Sequence, residues 1–186
     1  LDLLDLVRLE SGRRRLTGVV SRHFNTELGG FLIAATESGL CFLTWSATGE
    51  LSALDSYLAR YGMELVDTNP KASAHLRETA LQLAEFANGE RQEFDLALDL
   101  RGTEFELTVW RALRAIPFGS TVTYGELASR VGSPGGARAV GSANGKNPVP
   151  VVVPCHRVVA TDGLGGFSGG LARKEELLAL EGPLLF

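Results

Sequence analysis

Cysteine and histidine are scarce in this chain, and the scarcity excludes a good deal. Among 186 residues there are two cysteines, Cys41 and Cys155, and three histidines, His23, His75 and His156. Two cysteines in unlike surroundings make one disulfide at most, so a disulfide scaffold is excluded and a reducing, cytoplasmic setting is expected. The scattered histidines and cysteines show no paired ligand spacing, so no metal is expected. Long hydrophobic runs are missing too. No window reaches the roughly 18 apolar residues that span a bilayer, and no basic-then-apolar leader precedes a small-residue cleavage site. A membrane partner and secretion are therefore not expected. The chain opens at Leu1 rather than Met, which leaves open a longer polypeptide with an upstream domain.

Acidic residues are the next scarcity, and it is local. Residues 111–174 carry Arg111, Arg114, Arg130, Arg138, Lys146, Arg157, Arg173 and Lys174 against only Glu126 and Asp162. That stretch is +6, so with a net charge of −4 the remainder carries −10. A basic second half joined to an acidic first half points to a polyanion-binding face, although solvated charge clusters arise without a ligand.

What is present reads as two units. Residues 1–16 resemble a tail. TGVVSRHF reads as a strand, and GGFLIAATESGLCFLTW as a hairpin turning at Glu37, Ser38 and Gly39. Cys41 in its second arm reads as a small buried hydrophobe. ELSALDSYLARYG places Leu51, Leu54, Leu58 and Tyr61 on one helical face and stops at Gly62. ASAHLRETALQLAEFANGE repeats the pattern with Leu76, Ala80, Leu83 and Phe86, with His75 on its outside. FDLALDL alternates like a strand. Residues 17–100 are thus expected to form an α/β domain with an antiparallel sheet, and nothing in them looks catalytic.

Residues 101–186 change character. Thr103 and Glu106 have the spacing of a capping box, opening a helix with Phe105, Val109, Leu113 and Ile116 on its apolar face and Trp110 as a core anchor. TYGELASRVG and SPGGARAVGSANGKNP read as two short helices joined by a glycine-containing turn, a helix-turn-helix. The second helix is bare: Ala137, Ala139, Gly141, Ser142, Ala143 and Gly145 are all small, and Arg138 alone stands up from it. Such a surface suits close approach by a large partner, or equally tight helix packing with Arg138 as a surface charge. In PVPVVVPCHRVVATDG the valines read as a buried strand that ends at Pro154 and delivers Cys155 to a site wall. A thiol beside an imidazole can become a nucleophile, while on adjacency alone a structural cysteine is the favoured reading of Cys155. A third, orienting carboxylate would come from Asp162, Glu175, Glu176 or Glu181.

Three segments taken in order, IPFGSTVTYGELA, ARAVGSANGKNPVPVVVPCHRVV and GGFSGGLARKEELLALEG, closely resemble the O6-alkylguanine-DNA alkyltransferases. The PCHRV motif, with Pro148 seven residues before Cys155, carries most of the specificity, and the match runs from about residue 99 to 182. The resemblance implies an α+β protein whose second, mostly helical, winged-helix-like domain holds a helix-turn-helix and the reactive cysteine. It implies a monomer that needs no cofactor, acting on duplex DNA that carries O6-alkylguanine, and leaves activity on O4-alkylthymine open. Cys155 corresponds to the alkyl acceptor, and His156 and Glu181 to its partners in a Glu-His-water-Cys network. Tyr124 corresponds to the donor of a proton to the leaving guanine, and Asn147 to the residue tying the recognition region to the active-site loop. Arg138 corresponds to the arginine that fills the gap left by the extruded nucleotide, with Ala137, Ala139, Gly141 and Ser142 against the minor groove. Asn144, Pro150, Val158, Phe167 and Ser168 correspond to pocket walls.

The sequence also departs from the family. Phe167 stands where many members have tyrosine, and the loop after Cys155 is one residue shorter than in some relatives, so the range of accepted alkyl groups is open. The N-terminal cysteines of a zinc site are missing. Two other readings are a non-catalytic lesion-binding protein and the repair domain of a larger adaptive-response regulator. The joint presence of Cys155, His156 and Glu181 favours transfer over mere binding.

Overall fold

A computed structural model of the chain describes residues 16–182. The expected tail falls, except for Leu16, outside the described residues. The first half is built on a four-stranded sheet of β1 (Thr17–Thr26), β2 (Gly29–Thr36), β3 (Gly39–Trp45) and β4 (Met63–Leu65), ordered β3-β2-β1-β4. The first three strands pair antiparallel, as the hairpin pattern predicts, and β4 adds in parallel along β1. Helix α1 (Glu50–Tyr61) covers one face and α2 (Pro70–Ala87) the other. Alternate residues of β2 serve the two layers. Leu32 and Ala34 pack with Leu54 and Leu58 of α1, whereas Phe31 and Ile33 join Leu76, Leu83 and Phe86 of α2. Burial on both faces is why β2 is apolar almost throughout rather than alternating.

The second half comprises α3 (Glu104–Arg114), α4 (Tyr124–Arg130), α5 (Ala137–Gly145) and α6 (Leu171–Glu181). A small parallel pair, β5 (Val122–Thr123) with β6 (Val158–Val159), joins the start of α4 to the segment that follows Cys155. Helix α3 begins with the predicted capping box. Thr103 Oγ1 accepts from Glu106 N (3.2 Å), and Glu106 Oε2 accepts from Thr103 N (2.8 Å). Trp110 is a core anchor, 1% exposed, and its indole N–H donates to Ala143 O in α5 at 2.9 Å. One apolar cluster runs from Phe31 and Trp45 through Trp110 and Leu113 to Val153, Cys155 and Leu177, so the two halves share a core. Among the described residues, no helix is long and apolar enough to cross a membrane.

Several expectations need correction. FDLALDL does not form a strand. It makes one bridge, Leu98 to Leu40, because the free edge of β3 is shared out: Leu40 bonds to the 97–99 segment and Leu43 N donates to Pro148 O. Neither neighbour can extend into a ladder. The valine run is not a strand either. Residues 149–153 close a tight turn, with Val153 N donating to Val149 O at 3.0 Å and Val151 at φ 75°. Prolines 148, 150 and 154 lack the N–H groups a ladder needs, and the valines are buried by surrounding helices instead. A short apolar run does not itself distinguish these outcomes. Leu51 and Phe105 lie off their helices' buried faces, 56% and 37% exposed.

Replacing Thr103 by alanine removes the cap of α3 and is expected to cost about 1 kcal/mol. Urea denaturation will measure it, and Thr103→Ser is expected to retain most of the lost stability.

Candidate active site

The turn after the valine run sets the site's geometry. Cys155–Arg157 form one turn of 3-10 helix, so Cys155 and His156 do not project to opposite faces as neighbours on a strand would. The Cys155 carbonyl accepts from Val158 N and from Asn144 Nδ2 (3.2 Å). Asn147 bridges the same turn, donating to Val153 O at 2.7 Å and accepting from Val149 N at 3.1 Å. Two asparagines at the end of α5 therefore clamp the loop that carries the thiol.

Behind the thiol lies a buried charge cluster. His156 Nε2 donates to Glu181 Oε1 at 2.7 Å, both side chains being almost inaccessible. Arg157 also grips that carboxylate, Nε to Oε2 at 2.9 Å and Nη2 to Oε1 at 2.9 Å, while its Nη1 donates to Ile116 O at 2.6 Å. Gly119 N adds a bond to Oε2 at 3.2 Å. Burial works to raise the Glu181 carboxyl, but the hydrogen bonds from His156 and Arg157 outweigh it and hold it below the usual carboxylate range. Burial lowers His156, so its imidazole is neutral. An anionic acceptor at Nε2 places the ring's proton there and leaves Nδ1 as a lone-pair acceptor. Nδ1 is buried without a hydrogen-bond partner among the described residues.

The thiol is 1% exposed, and burial pushes it up to about 11, against the lowering influence of Asn147 and Lys174. At rest Cys155 is thus protonated, with a neutral base next to it in the chain. Cys41, pushed up to about 12 by burial, donates to Ala34 O at 3.3 Å inside the first half.

Cys155 lies on the wall of a cavity of about 290 Å³, with Tyr124, Gly141, Asn144, Gly145, Phe167 and Ser168. Three of the five expected pocket residues, Asn144, Phe167 and Ser168, meet there. Pro150 lines a neighbouring cavity. Val158 is buried behind the wall, its carbonyl taken by Lys174 Nζ. Tyr124 OH donates to Gly166 O at 3.2 Å, and burial, with Cys155 nearby, raises its phenol so that it keeps its proton. The loop passes close over that ring at Gly165, where φ is 67° and a Cβ would stand 2.8 Å from Tyr124 Cε2, so only glycine fits. Phe167 sets its ring edge-on to Trp45 of β3 (5.7 Å) and to His156 (6.5 Å).

On the neighbouring surface, Arg138, Ala139 and Ser142 are exposed on α5, with Ala137 and Gly141 half-buried. Gly141 backs onto the Tyr124 ring, 3.7 Å from where its Cβ would be. The small residues therefore serve both readings at once, exposing a low surface outside and packing closely inside. The charge count needs revision. Arg157 and Lys174 are buried, Lys146 pairs with Glu106 at 2.9 Å, and Arg173 stacks over Trp45 at 5.0 Å. Arg111, Arg114, Arg130 and Arg138 remain exposed.

Lys174 and Arg157 entered the sequence reading only as charge, and their structural work was missed. Lys174 Nζ donates to the carbonyls of Val158, Leu164 and Gly166, pinning the loop over the cavity. The available signal was position: both lie within segments already singled out, one beside His156 and the other seven residues before Glu181.

Comparison with known proteins follows the same lines. Residues 104–183 match the family model described as 6-O-methylguanine DNA methyltransferase, DNA binding domain. Residues 19–100 match 6-O-methylguanine DNA methyltransferase, ribonuclease-like domain. The methylated-DNA–protein-cysteine methyltransferase of Methanosarcina acetivorans is 39% identical over 86% of this chain and 96% of its own length. That of Mycolicibacterium paratuberculosis is 57% identical over 61% of the chain and 67% of its length. The match to the Mycobacterium bovis relative spans 61% of that protein. Among solved structures, Mycobacterium tuberculosis OGT in complex with DNA superposes with a TM-score of 0.71 at 38% identity, covering 88% of this chain and 92% of that one. The O6-methylguanine-DNA methyltransferase of Pyrococcus kodakaraensis gives 0.63 at 28%, covering 89% and 99%.

Replacing Glu181 by glutamine leaves Arg157 buried without its counter-charge and is expected to cost about 3–5 kcal/mol. The carboxyl's folded value is depressed, so its contribution is present above the ordinary carboxylate range and lost as pH falls through the folded value. Denaturation across acid pH should show Glu181→Gln less stable near neutrality and less sensitive to acid.

Proposed function

The chain belongs to the methylated-DNA–protein-cysteine methyltransferase family, and from that premise we propose that it repairs O6-alkylguanine in duplex DNA by moving the alkyl group, once and irreversibly, onto Cys155. The observation that carries the assignment of the acceptor is the buried Cys155–His156–Glu181 row opening on a cavity. In a stacked duplex the target carbon is out of reach, so the nucleotide must be turned out into that cavity. Exposed Arg138 on the low surface of α5 is suited to enter the space it leaves, with Ala137, Ala139, Gly141 and Ser142 letting the sugar-phosphate walls come close.

The reaction is one displacement. The Cys155 S–H proton passes, through a water, to Nδ1 of His156, whose cation is stabilised by Glu181. The sulfur–carbon bond forms as the carbon–O6 bond breaks. Tyr124 gives a proton to the departing purine and is restored from the proton taken off the thiol, so that in sum a proton replaces the alkyl group on guanine. The resulting thioether has no leaving group that returns the thiol, so each molecule acts once. Asn144 and Asn147 keep the thiol's turn in place, and Asn144, Pro150, Val158, Phe167 and Ser168 shape the site around base and alkyl group. In this division of labour residues 101–186 bind DNA and react, residues 17–100 support the site, and the protein works as a cytoplasmic monomer.

Mixing the protein with a duplex containing one O6-methylguanine is expected to raise its intact mass by one methyl group, mapped to Cys155, and Cys155→Ser should abolish the shift. An unchanged wild-type mass with lesion-selective binding would make the chain a damage-binding protein instead. Arg138→Ala is expected to slow transfer from duplex far more than from free O6-benzylguanine. Equal losses on both substrates would remove Arg138 from nucleotide extrusion. Binding should weaken as salt rises, since phosphate contacts release counterions.

A further inference from the structure

Trp45 stands at the end of an aromatic row that crosses the sheet of the first half. Phe24 of β1 pairs in register with Phe31 of β2, and Phe31 with Trp45 of β3. Residues directly opposite on adjacent strands share a face and pack side by side. The ring centroids accordingly lie 5.5 Å apart for Phe24 and Phe31, and 5.4 Å for Phe31 and Trp45. Just past Trp45 the backbone is closed onto the sheet, with Ser46 N donating to Gly30 O at 2.8 Å. The Arg173 guanidinium lies 5.0 Å over the Trp45 ring, and its Nη1 donates to Leu28 O. Trp45 is thus held by its own strand, by its cross-strand neighbour and by a cation on its face, and it is 6% exposed.

The row continues into the second half. Phe167, a wall of the Cys155 cavity, stands edge-on to Trp45 at 5.7 Å and edge-on to His156 at 6.5 Å. Hydrogen bonds fix the loop up to this point. Lys174 Nζ donates to the carbonyls of Leu164 and Gly166, and Tyr124 OH donates to Gly166 as well. A phenyl ring has no polar atom to be held in that way, so the angle of the Phe167 side chain is left to packing. The joint is tight. A Cβ on Gly169 would stand 2.8 Å from Phe167 Cε1 and 2.9 Å from Trp45 Cζ3, so bare backbone fills the angle between the two rings.

A displacement of about 1 Å in the groups that orient a reactant can cost roughly a hundredfold in rate. Building on the proposed transfer to Cys155, we infer that Trp45 is a positioning residue for that reaction. Through it the sheet of the first half holds Phe167 at the angle that the turned-out base must meet. Trp45 does not line the Cys155 cavity itself, so its influence passes through Phe167. The aromatic row gives that influence its stiffness: Phe31 backs Trp45, and Phe24 backs Phe31.

The test follows methylation of Cys155 by intact mass, with duplex O6-methylguanine in saturating excess, beside affinity for undamaged duplex and the urea midpoint. Trp45→Leu and Trp45→Met fill the site with different shapes, so that one folded variant suffices. Each is expected to slow transfer roughly tenfold while binding undamaged duplex as the wild type does. Trp45→Phe keeps an aromatic edge and should recover most of the rate. Leu32→Val loosens the opposite face of the same sheet and should lower the urea midpoint without slowing transfer. In a Phe167→Ala background, Trp45→Leu should change the rate by less than about twofold, because residues that act through one contact are not additive. Wild-type rates in the folded Trp45 variants would overturn the inference. Equal slowing with and without Phe167, or equal slowing by Leu32→Val, would do the same. A wild type that leaves Cys155 unmethylated overturns the proposed function, and this inference with it.

Discussion

Glu181 is the carboxylate on which the second half closes. It is the last residue of α6, yet its two oxygens receive His156 from the 3-10 turn, Arg157 beside it, and the Gly119 backbone from the loop after α3. Three segments distant in sequence are thus fixed relative to one another by one buried charge. A carboxylate removed from water is costly unless its lone pairs are filled, and here donors are supplied on both oxygens. In the proposed reaction the same bonds set the chemistry. An acceptor on Nε2 selects the histidine tautomer, and that choice leaves Nδ1 with a free lone pair, the base of the proposed reaction. Fold and reactivity depend on one arrangement, so a change at Glu181 cannot affect one without the other.

In the proposed reaction the first half offers no group to the bond-making step, and its contacts with the second half are supporting ones. Trp45 of β3 braces Phe167, Arg173 lies over Trp45 while bonding to Leu28 O, and Leu43 N holds Pro148 O. The first of these contacts reaches the wall of the thiol's cavity and the last the segment leading into its turn, while Arg173 ties α6 to the sheet. Phe167 shows the consequence of lacking a hydroxyl: the ring is held by aromatic edges on two sides, with no polar tip to satisfy. Lys174 fixes the same loop from beneath. Burial lowers its ammonium to about 8, a sign of how much solvation is given up to gather three carbonyls at one point.

What could be read from the sequence was whatever depends on local chemistry. The Thr103–Glu106 cap, the stop at Gly62 and the hairpin turn at Glu37 and Ser38 all follow from residues within a few positions of each other. What escaped depends on partners far away. The valines before Cys155 carry a strand's composition, but no free sheet edge is available to them and three prolines remove donors. FDLALDL meets an edge already divided between two neighbours. Arg157 and Lys174 count as charges on paper and are buried in the fold, because the carboxylate and carbonyls that hold them lie 8 to 41 residues away. The basic excess was real in number and smaller in effect, with half of those cations turned to internal tasks.

A buried thiol pushed up to about 11 looks at first like a poor nucleophile, since the thiolate is the reactive form. Cys41, pushed up to about 12 by burial and by the nearby Asp99, donates to a carbonyl oxygen and has Leu40 and Phe42, not an imidazole, beside it in the chain. Cys155 differs in having a neutral imidazole next to it in the chain, backed by a carboxylate that in the proposed reaction would stabilise the proton once taken. For a protein consumed by a single event the protonated resting state has a clear advantage. A standing thiolate would be alkylated or oxidised by any small electrophile that reached it, and each such encounter would waste the molecule. In the proposed reaction, keeping the proton on sulfur until substrate fills the cavity would confine the nucleophile to the complex. The reaction is then selected by the same burial that makes the free thiol unreactive.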